Sequence, residues 1–290
     1  MMIHSELAKI RYTKASVVLG LIVVVVTALS SLGTVFLPTI LKALVGLNDV
    51  IPNATEAGEL NAEQMQMLSF STAGAQWAVI DVVGSQGFGL SVAGLCAVVF
   101  GLLNVTSEYR HGSIANSVLQ HPQRLGIVGA KAAAVSLSIL LVSVLLVLVS
   151  AIALGVGLVS QDTPLLFSAG AIALAWIKGA AVLVLLGLFG MGLGLVLRNQ
   201  VAGVLVIFGW MMIETVARPI AAWIFGSVSP ASFLPLGLAN DVVRGAGLLG
   251  EMPMTASLGS GLALWALVMW AVLATVSGAL RLNRTDVAVA

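Results

Sequence analysis

The sequence predicts an all-α integral membrane protein with six transmembrane helices. Of its 290 residues, 59% are hydrophobic and 9% are charged, and the mean hydropathy is +1.10. Soluble domains carry about 25% charged residues, so this chain cannot cover itself with a polar surface and lipid must surround it. Six apolar runs are each long enough to cross a bilayer core about 30 Å thick, which takes about 20 helical residues.

The six runs form one predicted membrane domain covering residues 1–290. They lie at 17–37, 80–103, 129–158, 179–197, 201–223 and 258–280. The first run stays apolar without a small-residue cleavage site before Pro38, so it is predicted as an uncleaved span rather than a signal peptide. The third exceeds the bilayer thickness and is expected to tilt or protrude. The fourth is expected to begin near Trp176 and Lys178, because such residues anchor at interfaces.

Residues 1–16 are predicted to form an amphipathic helix along the inner leaflet, with a frayed tail as the alternative. The apolar face holds Ile3, Leu7 and Ile10, and the polar face holds Glu6, Lys9 and Thr13. We therefore expect Glu6 to point away from the apolar surroundings.

The distribution of Lys and Arg between the connections predicts the orientation. One side holds nine: Lys9, Arg11, Lys14, Arg110, Arg124, Lys131, Arg198, Arg281 and Arg284. The other side holds four: Lys42, Lys178, Arg218 and Arg244. The first side is predicted to be cytoplasmic, together with both termini, and the acidic loop 38–76 is predicted to face outward.

Several classes of chemistry lack the residues they need. A net charge of +1 gives no electrostatic basis for nucleic-acid binding. The lone cysteine, Cys96, excludes an intrachain disulfide and a thiolate metal cage. The three histidines, at 4, 111 and 121, lack the spacing of a metal pair, and no Gly-Lys dipeptide is present for a phosphate-binding loop. We therefore predict no metal and no bound nucleotide.

Charged and small residues within the runs are the other candidates. Glu214 and Arg218 are four apart, so they share a helix face and are expected to pair, or alternatively to line an outer gate or substrate path. Asp81 is expected to be solvated at the outer edge of the second span. Gly190 and Gly194 form a G-x-x-x-G pair for close helix packing, within one subunit, at a dimer contact or at a flexing point.

A polar island at residues 107–124, SEYRHGSIANSVLQHPQR, separates the second and third runs. Gly112 breaks the preceding helix, and the Ser113 hydroxyl can cap a new one. Pro122 cannot continue that helix but suits the first turn of the next. Its apolar stripe comprises Ile114, Ala115, Val118 and Leu119. The pattern predicts a two-turn cytoplasmic helix that packs against the membrane surface or another protein.

These residues resemble a motif of the type-2 ATP-binding-cassette (ABC) exporter permeases. After the second span, that family has a glutamate, a Gly-Ser or Gly-Thr pair, a short apolar helix, a proline, an arginine and a later lysine. The matching positions are Glu108, Gly112, Ser113, Leu119, Pro122, Arg124 and Lys131. Six spans, an amphipathic N-terminal helix, Arg198 after the fourth span and the ending RLNRTDVAVA also fit. The long acidic loop 38–76 departs from the pattern.

The resemblance implies a non-catalytic permease subunit in the plasma membrane, with ATP and Mg²⁺ on a separate ATPase subunit. A second permease chain, identical or different, would complete the transmembrane path. The island would contain a coupling helix that docks on the ATPase, and segment 226–256 would form short re-entrant or interfacial helices. The coupling residues would be Glu108, Arg110, Gly112, Ser113, Ile114, Val118, Leu119, Pro122 and Arg124.

The main alternative is an ion-coupled secondary transporter, which needs carboxylates near the membrane midplane and interrupted helices in corresponding halves. Glu214 approaches the first requirement, and no internal repeat meets the second. An intramembrane enzyme is disfavoured because the spans contain no cluster of His, Asp or Glu. The leading expectation is an exporter permease for an amphiphilic peptide, drug or lipid-like substrate.

Overall fold

A computed structural model of the protein describes residues 6, 10, 13–50, 69–84, 91–110, 124–225, 230–244 and 258–284. Throughout these ranges the regular structure is helical. The helices are α1 (Lys14–Val50), α2 (Ala73–Ile80), α3 (Val92–Arg110), α4 (Arg124–Ser160), α5 (Ala169–Leu197), α6 (Gln200–Phe225), α7 (Pro235–Arg244) and α8 (Ser260–Arg284), with a 3₁₀ turn at Pro230–Phe233.

Six of these helices are long and apolar enough to cross a membrane. The candidate spans are Ala15–Ile40, Val92–Arg110, Gly126–Ser160, Ala169–Leu197, Gln200–Phe225 and Ser260–Asn283. In the part of the chain that the structure describes, the predicted all-α class and the six helices long and apolar enough to span a membrane are therefore confirmed.

Helix α5 lies at the centre of the bundle. It is apolar on all sides, as expected for a helix surrounded by other helices, and packs most extensively against α3 and α8. A Cβ atom at Gly190 would overlap the carbonyl oxygen of Val98, and one at Gly194 would lie 2.9 Å from the carbonyl oxygen of Leu102. The packing partner of both glycines is thus a helix of the same chain, whose backbone approaches closely because side chains are missing there.

Helix α1 lies at the edge of the bundle. In the most apolar stretch of α1, only 11% of the residues are buried, compared with 56% in the corresponding stretches of α3 and α5. Its exposed side chains are large and apolar, for example Leu21 and Leu29. A surface of this kind is suited to hydrocarbon rather than to water.

The second span begins later than hydropathy predicts. Helix α2 ends at Ile80, and Asp81 turns the chain: its Oδ1 accepts hydrogen bonds from the backbone N–H groups of Val83 (3.0 Å) and Gly84 (3.2 Å). Gly84 has a φ of +74°, which favours glycine. The span starts only at Val92, so the predicted range 80–103 is wrong. Asp81 is 5% exposed, so the expectation of a solvated carboxylate is also wrong.

The helices of the first and fourth predicted spans, α1 and α5, are longer than predicted. Helix α1 continues through Pro38 to Val50, so the first third of the predicted outer loop is helical. Helix α5 begins ten residues before the predicted 179, because the Ser168 hydroxyl accepts from the Ala171 N–H (3.2 Å) and caps it.

The two ends of the bundle differ in composition. At one end, named the basic end, α3, α5 and α8 terminate and α4 and α6 begin; it holds the described members of the nine-residue basic set. At the opposite end, named the α7 end, lie α2, the 3₁₀ turn and α7. Each end carries one cluster of charged side chains.

Candidate functional site

Lys131 is the centre of the charged cluster at the basic end. Its side chain lies two turns inside α4 and is 1% exposed. The Nζ atom lies 2.8 Å from Glu6 Oε2 and 2.6 Å from Glu108 Oε1. A lysine is buried this deeply only with charged or hydrogen-bonding partners. The three side chains therefore form one buried ionic cluster, named the Lys131 cluster.

Glu108 reaches this cluster from the last turn of α3. A carboxylate at the C-terminus of a helix is opposed by the negative end of the helix dipole. Lys131 compensates for this unfavourable position and ties the end of α3 to the start of α4. Two of the positions that carry the family resemblance, Glu108 and Lys131, are thus in direct contact.

Glu6 joins the cluster from the N-terminal segment. Glu6 and Ile10 are helical and each is 7% exposed. The expectation that Glu6 lies on an outward-facing polar side is therefore wrong, because Lys131 provides a buried cationic partner that the local pattern does not show. The remaining positions of the two predicted faces, apart from Thr13, lie outside the described residues.

The other predicted coupling residues border the Lys131 cluster in sequence. Arg110 is exposed at the end of α3, and Arg124 is the first residue of α4. Six predicted residues lie outside the described part of the chain: Gly112, Ser113, Ile114, Val118, Leu119 and Pro122. The predicted island thus connects two helix ends that Lys131 joins.

Two arginines connect three helix ends beside this cluster. Arg198 ends α5 in the left-handed conformation, and its Nη2 donates to the Arg281 carbonyl (3.1 Å). In return, Arg281 Nη1 donates to the Val196 carbonyl. The Arg198 guanidinium also lies 5.5 Å from the centre of the Tyr109 ring, at the end of α3. The last carbonyls of α5 and α8 are therefore satisfied across the helix contact, an exchange that sequence reasoning missed.

Glu214 is the centre of the cluster at the α7 end. It belongs to α6 and is 3% exposed. Its carboxylate accepts hydrogen bonds from Trp210 Nε1 (3.1 Å) and from the backbone N–H groups of Leu236 (3.3 Å) and Gly237. Those N–H groups belong to the first turn of α7 and have no partner within their own helix. Glu214 therefore caps α7 from a neighbouring helix, where the helix dipole favours a negative charge.

Arg218, one turn further along α6, pairs with α7 rather than with Glu214. Its Nη2 lies 2.9 Å from Asp241 Oδ2. The guanidinium crosses α7 over Gly237, where a Cβ atom would overlap it. The predicted direct pairing of Glu214 with Arg218 is thus replaced by two separate attachments of α6 to α7. The spacing within α6 identified the two residues, but it could not show that α7 supplies a different partner for each of them.

Burial also affects the titration of Asp241. The residue is 5% exposed on α7. Burial raises the pKa of its carboxyl group, and the nearby Arg218 guanidinium opposes the increase. The raised pKa means that the cost of burying the Asp241 charge exceeds its stabilisation by Arg218.

An aromatic group lies beneath the 3₁₀ turn. Trp270 of α8 donates from Nε1 to the Phe233 carbonyl (2.8 Å). Its ring packs edge-on against Trp210, with centroids 5.7 Å apart, and against Phe189, with centroids 6.0 Å apart. The turn and α7 are thus held from both α6 and α8.

A metal site is not assembled by the described residues. Within these ranges, no three His, Cys, Asp or Glu side chains lie close enough to hold an ion. The three histidines of the sequence lie outside the described ranges.

Comparison with protein families and with curated proteins gives no match. No protein-family model matches the chain, and no curated protein is significantly similar to it. A functional interpretation therefore depends on the residues and contacts described above.

Proposed function

We propose that this chain is the membrane-spanning permease subunit of an ATP-driven exporter similar to the type-2 ABC permeases. The observation that carries the proposal is the Lys131 cluster. Two residues of the family-like motif, Glu108 and Lys131, are buried and in contact at the borders of segment 111–123. A docking helix needs this kind of support, because a force applied to it is useful only if its two flanking helices move together.

The contacts provide a route for such a force into the bundle. A push on segment 111–123 reaches the end of α3 and the start of α4, which the ion pairs of Lys131 connect. Helix α3 contacts α5 through backbone at Gly190 and Gly194, with no flexible side chain between them. Movement of the docking helix would thus pass to the central helix with little loss.

In this proposal the chain is a non-catalytic subunit. A partner ATPase binds ATP and Mg²⁺, segment 113–120 docks on it, and a second permease chain completes the path. The basic end and both termini face the cytoplasm of the plasma membrane, as the excess of Lys and Arg favours. The 3₁₀ turn and α7 then act as the short outer or re-entrant helices between the last two spans, held by Glu214 and Arg218. The substrate is an amphiphilic peptide, drug or lipid-like molecule.

The proposal is tested by expressing the chain with and without an ABC ATPase subunit from the same genome. We expect the ATPase to co-purify with the chain and to hydrolyse ATP in a vanadate-sensitive manner. Glu108→Ala and Leu119→Asp should insert normally but lose the partner or uncouple hydrolysis from transport.

A matched control is Asn199→Asp, which adds a carboxylate at the same end of the bundle. Asn199 is exposed, and its side-chain oxygen caps α6 through the Ala202 N–H (3.1 Å), a bond that aspartate retains. This variant should co-purify and transport normally. Normal coupling in both Glu108→Ala and Leu119→Asp would refute the proposed docking role.

The ion-coupled transporter remains the second candidate because of Glu214. This carboxylate is almost completely buried within a candidate span, a position typical of proton-coupling residues. In that case transport would continue without any ATPase, would stop with an ionophore, and would be abolished by Glu214→Gln. In the leading proposal Glu214→Gln keeps an oxygen that can accept from α7, and transport falls only in part.

A further inference from the structure

A cleft between four helices has no role in either charged cluster. Its walls come from α1, α3 and α4, and Leu183 of α5 lies among its buried lining. Helices α3 and α4 make little direct contact here, and α1 bridges the gap between them. Small residues create the space, chiefly Gly20, Ala93, Ala97 and Ser138. The cleft has a volume of about 40 Å³, which is room for a few water-sized groups and therefore for a short stretch of hydrocarbon.

The lining of the cleft is almost entirely apolar, and neither of its two serines has a hydroxyl proton left to donate to a ligand. The hydroxyl of Ser138 donates to the Ala134 carbonyl (2.8 Å), and that of Ser143 donates to the Ile139 carbonyl (2.9 Å). Apart from the weakly polar thiol of Cys96, the remaining lining side chains are aliphatic or aromatic. Water needs at least two polar partners to occupy a cavity, and apolar cavities take apolar guests. The occupant must therefore be hydrocarbon.

The position of the cleft specifies the source of that hydrocarbon. Every residue of its lining belongs to a candidate membrane span. Leu19, Phe100 and Ser138 are half-buried at the rim, whereas Val23 and Ala97 are buried, so the cleft runs inward from the lipid-facing surface. The neighbouring surface of α1 exposes Val18 and Leu21. Where no other protein packs on this surface, the molecules that cover it are the acyl chains of the bilayer.

We propose that this cleft is a binding site for one acyl chain of a bilayer phospholipid. The chain enters from the lipid-facing rim and packs on Ala97 and Leu183, while the headgroup stays outside because the cleft has no group to bind it. The bound chain fills the gap between α3 and α4 that α1 covers only in part. The proposal is independent of the proposed transport function.

The test uses photo-crosslinking of the full-length protein in phosphatidylcholine nanodiscs. One sample contains phosphatidylcholine with a diazirine in the acyl chain, and the other has the diazirine on the headgroup. Adducts are mapped by mass spectrometry. We expect the acyl-chain probe to label Cys96, Phe100 and Val142 several-fold more than equally apolar, more exposed positions such as Leu29, and the headgroup probe to leave the cleft unlabelled.

A matched pair of variants on α1 separates a bound chain from surrounding lipid. A Cβ atom at Gly20 would lie 3.7 Å from Val142 Cγ2, an ordinary contact, so Gly20→Leu fills the cleft. Gly33, on the same helix, is exposed and has no atom within 4 Å of an added Cβ, so Gly33→Leu leaves the cleft open. Labelling of the cleft should fall several-fold in Gly20→Leu and stay unchanged in Gly33→Leu.

Two results would overturn the proposal. Equal labelling of the cleft and of exposed positions in the wild type would mean surrounding lipid only. Undiminished labelling of the cleft in a folded Gly20→Leu variant would mean that the chain binds elsewhere. If Gly20→Leu does not insert, Ala97→Leu fills the same space from α3, and the wild-type map remains decisive without either variant.

Discussion

Substitution of Lys131 by methionine is the most direct test of the Lys131 cluster. Methionine keeps much of the length and volume of the side chain but removes its charge. Two ion contacts, to Glu6 and Glu108, are lost at distances of 2.8 Å and 2.6 Å. The carboxylates remain buried close to each other, so the variant should unfold at a lower denaturant concentration.

The expected loss of stability follows from two opposing electrostatic effects, the attraction between the charges and the cost of removing them from water. At an effective dielectric constant of about 20, unit charges at these distances attract by about 6 kcal/mol per pair. Removing the ions from water costs several kcal/mol each, so the intact cluster contributes little net stability. Removal of the shared cation leaves the cost without the attraction, and breaking a buried pair in this way lowers the unfolding free energy by about 3–5 kcal/mol. That is a large part of a typical total of about 5–15 kcal/mol.

The assay is equilibrium unfolding in mixed micelles, with Lys178→Met as the control. Lys178 is half-buried and makes a long contact with the Ser260 hydroxyl at 3.3 Å, so its loss should cost about 1.5 kcal/mol, the low end for a hydrogen bond to a charged group. Neutralising Glu6 and Glu108 to glutamine in the Lys131→Met background should recover most of the loss. A Lys131→Met variant that is as stable as the Lys178→Met control would refute the buried ionic cluster.

Three further predictions concern single substitutions elsewhere. Gly190→Ala places a methyl group against backbone that cannot move aside and should lower the unfolding free energy by about 2–3 kcal/mol. Its control is Gly155→Ala, which has open space around the added methyl group and should raise the unfolding free energy by up to about 1 kcal/mol. Equal effects of the two variants in the same unfolding assay would contradict the close helix contact. Gly237→Ala should displace the Arg218 guanidinium and cost about 1 kcal/mol despite the better helix propensity of alanine, and a stabilised variant would exclude the observed position of Arg218. Because burial raises the Asp241 pKa, the folded state favours the protonated carboxyl group, and the wild type should lose stability relative to Asp241→Asn as the pH rises above the ordinary value of about 4. Melting temperatures measured across a pH series should therefore shift in favour of Asp241→Asn with rising pH, and the opposite slope would contradict the direction of the shift.

The errors of the sequence-based prediction have specific physical causes. Hydropathy placed the start of the second span at residue 80, because the side-chain hydrogen bonds of Asp81 that turn the chain are not a property of apolar content. Helical periodicity placed Glu6 on an outward polar face, because the pattern of one segment cannot show a buried lysine more than a hundred residues away. Spacing paired Glu214 with Arg218, because helical spacing describes contacts within α6 only, and α7 comes to lie against these residues only where the chain turns back after α6.

Some parts of the candidate site could be predicted from the sequence, and others could not. The motif included Glu108 and Lys131 among its seven positions but did not show that they are in contact. The count of basic residues grouped the helix ends that meet at the basic end. The contacts of Arg198 and Arg281 were not accessible, since each donates to a carbonyl of the other helix. The cleft could not be predicted from the sequence either, because its lining comes from four separate helices.

The sequence by itself determined the solvent of this protein, the number of its spans and the absence of a phosphate-binding loop, because these depend on composition, on the length of apolar runs and on a local motif. The tertiary structure decided which charges are buried together, which glycines bring helices into contact and where the bundle leaves an apolar cleft. Those properties depend on distances between residues far apart in the chain. In a protein with only 25 charged residues, the placement of Lys131 and Glu214 against their partners therefore had to come from the fold.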